Sequence, residues 1–215
     1  MKRSISKAFS ENDERYTPPK LVRLIAPRVT EMARRKFRAS GEPLYVWCPF
    51  DSEDSEFYRR LKNIENVYVW RSCIHDNPPR DFFKYEPPVW DVAVSNPPFS
   101  LKKAVFERLF ELGKPFAMLM NMMALNYQEI GSLFADNPVQ LLVPDKKISF
   151  DGKTSSFCSG YVCKDFLPKD LTFVHCEDNN TGENFECPYH LEKILREQGV
   201  WEGKASPMRD KDGQA

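Results

Sequence analysis

Trp90-Asp91-Val92-Ala93-Val94-Ser95-Asn96-Pro97-Pro98-Phe99 is the stretch that decides the fold. Its centre, Val92-Ala93-Val94, is apolar on both sides of the period-two alternation, which predicts a strand buried on both faces. Pro97 and Pro98 lack the backbone N–H that a sheet ladder requires, so the strand must end there. Directly afterwards, Leu101 to Leu112 carries apolar residues at helical spacing and is closed by Gly113. A buried strand, an abrupt turn and a helix make up half of a βαβ unit.

The same alternation extends outward in both directions. Upstream, Pro18-Pro19 should open a helix that buries Leu21, Leu24, Ile25, Val29, Met32 and Ala33, runs to about Arg38 and stops near Ser40-Gly41. Leu44 to Trp47 and Val67 to Trp70 read as strands. A helix from Ser52 to Leu61 is expected between them, capped by Asp51 or Ser52. Phe82-Phe83 marks a third short element after a proline-rich turn, which makes Trp90 to Ser95 the fourth strand. Downstream, Phe116 to Met120 is a strand, Asn126 to Phe134 a helix and Val139 to Val143 extended. Ile148 to Phe150, Gly160 to Cys163 and Leu171 to Val174 read as shorter strands, before a final helix from Tyr189 to Gln198.

This order predicts an α/β protein with a Rossmann-like, mostly parallel, doubly wound sheet whose edge turns antiparallel. The expected organisation is a flexible N-terminal arm over 1–15, a single domain over 16–202 and a polar C-terminal tail over 203–215. In such sheets ligands bind beyond the carboxyl ends of the strands. Cys48 to Asp51, Asp81-Phe82 and Asn96 to Phe99 each lie just past an expected strand or at its end, so they should share one rim.

Composition excludes some classes. Lys plus Arg and Asp plus Glu both number 31, so no global charge argues for a polyanionic partner, and only a local basic face could serve one. No apolar run approaches the ~20 residues that span a bilayer. Met1 to Tyr16 is polar and charged, so no membrane association is expected and a cytoplasmic location is the default. The six cysteines read as reduced thiols. His175-Cys176 and Cys187-Pro188-Tyr189-His190 offer zinc-type ligands, but the spacing matches no zinc pattern and no metal is assigned. His75 reads as a structural histidine.

Asn96-Pro97-Pro98-Phe99 carries the chemistry. The Asn96 side-chain oxygen and the Pro97 carbonyl can both accept from one planar amino group. Such a nitrogen is a poor nucleophile because its lone pair is delocalised, and two acceptors on its hydrogens favour a pyramidal nitrogen with the lone pair directed outward. Phe99 offers a face on which an extruded base can stack. Pro18-Pro19, Pro78-Pro79 and Pro87-Pro88 lack these flanks, so the prolines alone mean little.

This segment resembles the Asn/Asp-Pro-Pro-Tyr/Phe signature of amino-group methyltransferases, chiefly the DNA adenine-N6 enzymes. Tyr16-Thr17-Pro18 is similar to the Thr-Pro segment that precedes their cofactor-binding strand, Cys48-Pro49-Phe50 to the Asp-Pro-Phe that opens their cofactor loop, and Asp81-Phe82 to the segment whose acid meets the cofactor's adenine. Lys147 to Phe150 and Tyr161 to Cys163 resemble the small, often phage-borne, EcoRI-methylase-like members. The resemblance implies S-adenosylmethionine as cofactor, held by Tyr16, Thr17, Pro18, Cys48, Pro49, Phe50, Asp51, Asp81 and Phe82. It also implies Asn96, Pro97, Pro98 and Phe99 as the catalytic segment. Two departures stand out: Ser52 and Asp54 replace the glycines of the cofactor loop, and Trp70-Arg71-Ser72 lacks the usual acid for the ribose hydroxyls, leaving Asp76 as a candidate.

DNA is the expected partner. Lys102, Lys103, Lys146 and Lys147 are candidates for phosphate contact, and Lys20, Arg23, Arg28, Arg34, Arg35, Lys36 and Arg38 gather on the first helix. RNA adenine or a protein glutamine poses the same chemical problem to the enzyme. An inactive methyltransferase fold serving as a binding module also stays open.

Overall fold

The computed structural model describes residues 17–148 and 158–176. The expected arm, the polar tail, Tyr16, the strand end at Ser149-Phe150 and the final helix lie outside these residues. Among the described residues seven strands form one sheet: β1 (Leu44–Cys48), β2 (Val67–Arg71), β3 (Val92–Ser95), β4 (Phe116–Asn121), β5 (Gln140–Pro144), β6 (Ser159–Lys164) and β7 (Leu171–Val174). Their spatial order is β2-β1-β3-β4-β6-β5-β7. All pairs are parallel except those of β6 with β4 and β5. The reversal therefore falls in the half built by the last third of the chain, with β5 and β7 outside it.

Period-two alternation explains the two-layer core. Val46, Val92, Val94, Ala117, Leu119, Tyr161 and Cys163 share one apolar cluster with α1 (Pro19–Ser40) and α2 (Glu56–Leu61). The alternate residues Trp47, Ala93, Phe116, Met118, Met120 and Val162 join the opposite cluster with α3 (Lys102–Leu112), against which α4 (Gln128–Asp136) packs. The sheet is thus apolar on both faces, as a doubly wound fold requires. Each large side chain so buried contributes about 1.5–3 kcal/mol.

α1 runs down the first face. Tyr161 Oη donates to the Leu21 carbonyl at 2.9 Å, near the carboxyl end of β4. Arg28 then reaches the Phe166 carbonyl beyond the far end of β6, and Lys36 pairs with Asp91, just before β3 begins, at 2.7 Å. Gly41 closes the helix at φ 71, a left-handed conformation that favours glycine.

Several expected boundaries move, each for a local reason. α2 begins at Glu56 because Ser55, not Asp51 or Ser52, caps it: Ser55 Oγ accepts from Tyr58 N at 3.2 Å. β3 starts at Val92 because the Asp91 carboxylate turns aside to accept from Tyr45 N at 2.8 Å. Phe82-Phe83 is a turn and not a strand; the Asp81 carboxylate accepts from Phe83 N at 3.0 Å, and Lys84 N and Tyr85 N both bond to the Asp81 carbonyl. α4 begins two residues later than expected, after a 3-10 turn over Met122–Asn126 that the Asn121 side chain caps. Ile148 is buried but belongs to no strand.

Candidate functional site at the carboxyl ends of β1 and β3

β1 and β3 are neighbours, so their carboxyl ends present Cys48-Pro49-Phe50-Asp51 and Ser95-Asn96-Pro97-Pro98-Phe99 side by side. One contact joins them: Ser95 Oγ donates to Asp51 Oδ2 at 2.5 Å. Both residues are buried, Ser95 fully and Asp51 to 5% exposure. Burial pushes the Asp51 carboxyl up to about 6, while hydrogen bonds from the Ser95 and Ser55 hydroxyls restrain the rise. No cation pairs with Asp51 among the described residues. Cys48 occupies the position where the resemblance expects an acid. Its thiol is fully buried and pushed well up, first by burial and then by Asp51, so it stays neutral. Negative charge at the end of β1 therefore belongs to Asp51, three residues later.

Pro97 and Pro98 are buried and Phe99 is half-buried. Phe99 starts a 3-10 turn, Phe99–Leu101, in which Leu101 N bonds to the Pro98 carbonyl at 3.1 Å, and α3 follows. Asn96 Oδ1 is shielded from solvent and accepts no hydrogen bond among the described residues. A buried polar atom without a partner costs roughly 1–3 kcal/mol.

The second loop of the rim is organised by Ser72 and Arg71. Ser72 N donates to the Cys48 carbonyl at 3.0 Å, and Ser72 Oγ accepts from Trp47 Nε1 at 2.9 Å, tying β2 to β1. Arg71 reaches Glu53 and Asp76, both at 2.6 Å. Asp76 also takes Cys73 N and Arg80 Nε, each at 2.8 Å. Partial burial works against its charge, but these donors outweigh that effect and hold the carboxyl below its ordinary range. Its oxygens are committed to protein partners. Phe82 is fully buried, with its ring 5.4 Å from Trp47 and 4.8 Å from Phe50, so the 81–82 segment reaches the same rim without a strand to carry it. Thr17 and Pro18 precede the α1 end that lies against Tyr161, on the carboxyl side of β4.

The candidate lysines differ in setting. Lys102 turns back onto the motif: its Nζ donates to the Phe99 carbonyl at 3.1 Å and lies 5.5 Å from the centre of the half-exposed Tyr127 ring. Lys103 faces Glu107 at 3.8 Å beside a groove of about 760 Å³ between α3 and α4. Lys146 and Lys147 are exposed after β5. On α1, buried Arg28 and exposed Arg35 pair with buried Glu31, which gives that part of the basic cluster a structural role. His175 meets Asp145 at 2.9 Å, while Cys187 and His190 lie outside the described residues. Among the described residues no helix is long and apolar enough to cross a membrane.

Ser95 and Ser55 are the site residues that sequence reasoning missed. The signal for Ser95 was a hydroxyl at the end of an otherwise apolar buried strand, directly before Asn96.

The chain matches no known family model and no curated protein sequence. Among solved structures it is similar to a Listeria monocytogenes protein described as a candidate class I S-adenosylmethionine-dependent methyltransferase. The TM-score is 0.51 at 11% identity, over 90% of this chain and 73% of that one. The fold is that of a Rossmann-like methyltransferase. At 11% identity the likeness speaks to the fold, and the site must be argued from its own residues.

Proposed function

We propose that this protein transfers a methyl group from S-adenosylmethionine to an exocyclic amino nitrogen, with N6 of adenine in DNA as the substrate. The observation that carries the reading is the Asn96 side-chain oxygen: a shielded acceptor without a donor among the described residues, at the carboxyl end of β3, followed by two buried prolines and the half-buried Phe99 ring.

The residues fit the cofactor on one chemical ground. S-adenosylmethionine is cationic at sulfur and at its amino group, and Asp51 is a buried carboxyl whose partners among the described residues are the Ser95 and Ser55 hydroxyls. Asp51 and the 48–50 segment, Phe82 and the Thr17-Pro18 segment would hold it. When bound, it supplies an electrophilic methyl group to the nucleophilic nitrogen.

Everything else falls to the chain. Asn96 Oδ1 accepts one amino hydrogen and the Pro97 carbonyl the other. This pulls the nitrogen toward pyramidal geometry and exposes its lone pair. Phe99 stacks the base, which offsets part of the few kcal/mol needed to turn it out of a duplex. The buried prolines hold these groups in place, so the rate gain comes from positioning. Lys102, Lys103, Lys146 and Lys147 would supply contacts to backbone phosphates.

Asn96→Ala tests the reading directly. Transfer of labelled methyl to duplex DNA should fall at least about 100-fold, the scale for losing one well-placed catalytic hydrogen bond, while cofactor affinity stays near wild type. Retained activity in the variant would remove Asn96 from the chemistry. Offering single-stranded DNA, RNA and a glutamine-bearing protein in parallel assigns the substrate. Methylation of RNA or protein alone would move the substrate and keep the chemistry, and no binding of S-adenosylmethionine at millimolar concentration would favour a binding module.

A further inference from the structure

Asn96 precedes a proline, which restricts its backbone to extended conformations on that side. On its other side stands Ser95, whose hydroxyl is bound to a carboxyl 44 residues earlier in the chain. Ser95 is the only polar side chain of the four buried residues of β3, and it gives its hydrogen bond to the loop after β1 and not to its own strand or turn. We propose that Asp51 is a positioning residue for Asn96: by accepting the Ser95 hydroxyl it ties the loop after β1 to the loop after β3 and sets the direction in which the Asn96 acceptor faces. The inference rests on the reading of Asn96 as the amine acceptor, and it gives Asp51, already assigned to the cofactor, a second role that acts through another residue.

Three observations support it. First, Asn96 Oδ1 has no partner of its own among the described residues, so no hydrogen bond to that oxygen fixes its direction. Second, a carboxyl buried without a cation is costly to keep, and an apolar residue of similar size would stabilise the fold more. Third, the other groups around Asp51 do not change charge near neutrality. Cys48 on β1 and Tyr161 on β6 are both pushed well up, by burial first, and Ser55 and Ser95 do not titrate. Asp51 is the group there that does, with its carboxyl raised to about 6. An ionised carboxylate holds the Ser95 hydroxyl by a charge-assisted bond, roughly twice as strong as the bond to a protonated one. The tether is therefore tight above that pH and slack below it.

The test begins on the protein without added ligand. The Asn96 side-chain amide is followed by nuclear magnetic resonance from about pH 5 to about pH 8 and assigned by its disappearance in Asn96→Ala. In the wild type its resonance should shift with a midpoint near 6. It should stay flat in Asp51→Asn, which keeps an acceptor for Ser95 but no charge, and in Ser95→Ala, which breaks the tether. Single-turnover methyl transfer gives the functional arm. The wild-type rate should fall on the acid side over the same range, and Asp51→Asn should lose that limb. Ser95→Ala should slow transfer roughly ten- to a hundredfold, the scale of a small misplacement, with cofactor affinity within about twofold of wild type. An Asn96 amide that does not titrate in the wild type, or titrates equally in both variants, overturns the proposal. The two failures remain distinct. A wild type inactive on every substrate defeats the methyl-transfer reading while the amide titration still decides the tether. A flat amide in an enzyme that needs Asn96 defeats the tether alone.

Discussion

Asp51 sits 5% exposed among hydroxyls and neutral groups, and its chemistry has a consequence for stability that is separate from catalysis. Its carboxyl moves from 3.8 to about 6 on folding, driven by burial. Between those values the folded protein holds a proton that the unfolded chain has released, so stability falls as pH rises through that window. Above about 6 the full cost applies, on the order of 3 kcal/mol, and below about 4 it vanishes. Asp51→Asn keeps the shape without the charge and should raise the melting temperature at pH 7.5 by several degrees, with little difference near pH 4. Thermal unfolding of both proteins at the two pH values checks this, and equal shifts at both would mean that the carboxyl is solvated. The variant is expected to be more stable and worse at positioning Asn96. At this scale Asn96-Pro97-Pro98-Phe99 was legible because its chemistry is local: residue types, order and two missing donors. The role of Ser95 was not, because its partner lies 44 residues away.

The helices and strands themselves were largely readable, since burial on one stripe or on alternate faces is written in the periodicity. Their ends were less so. Asp51, Ser52 and Ser55 are all competent caps for α2, and the choice fell to Ser55 because the Asp51 carboxyl is engaged by Ser95. Phe82-Phe83 has the composition of a strand but lies in a turn, because Asp81 binds the backbone beyond it and the Phe82 ring completes the aromatic layer of Trp47 and Phe50. Gly113, which ends α3 at φ 66 with its N–H on the Leu109 and Phe110 carbonyls, was legible as a stop. Gly113→Ala should cost about 1–2 kcal/mol through the left-handed penalty alone, since nothing lies near the added Cβ. A urea titration measures the loss, and methyl transfer per folded molecule should be unchanged because Gly113 is at the end of α3 remote from the motif.

Across the whole molecule the strand order was the least legible feature. β6 inserts antiparallel between β4 and β5, and its register brings Gly160 opposite Met120 and beneath the turn that follows β4. A Cβ on Gly160 would stand 2.7 Å from Met122 Sδ and 2.9 Å from the Leu142 carbonyl, and the second of these cannot move without shifting β5. Gly160→Ala should therefore destabilise the fold by about 1–3 kcal/mol or more, read from the urea midpoint, and wild-type stability would mean that the three strands part more easily than their packing suggests. By itself the sequence determined the α/β class, the strand that carries Asn96 and the abrupt turn that exposes it, because each depends on residues within one short window. Only the tertiary structure decided where the antiparallel strand goes and that the Asp51 carboxyl meets Ser95. Those outcomes depend on which buried groups meet across the sheet, and a buried polar group takes whichever partner the fold brings within reach.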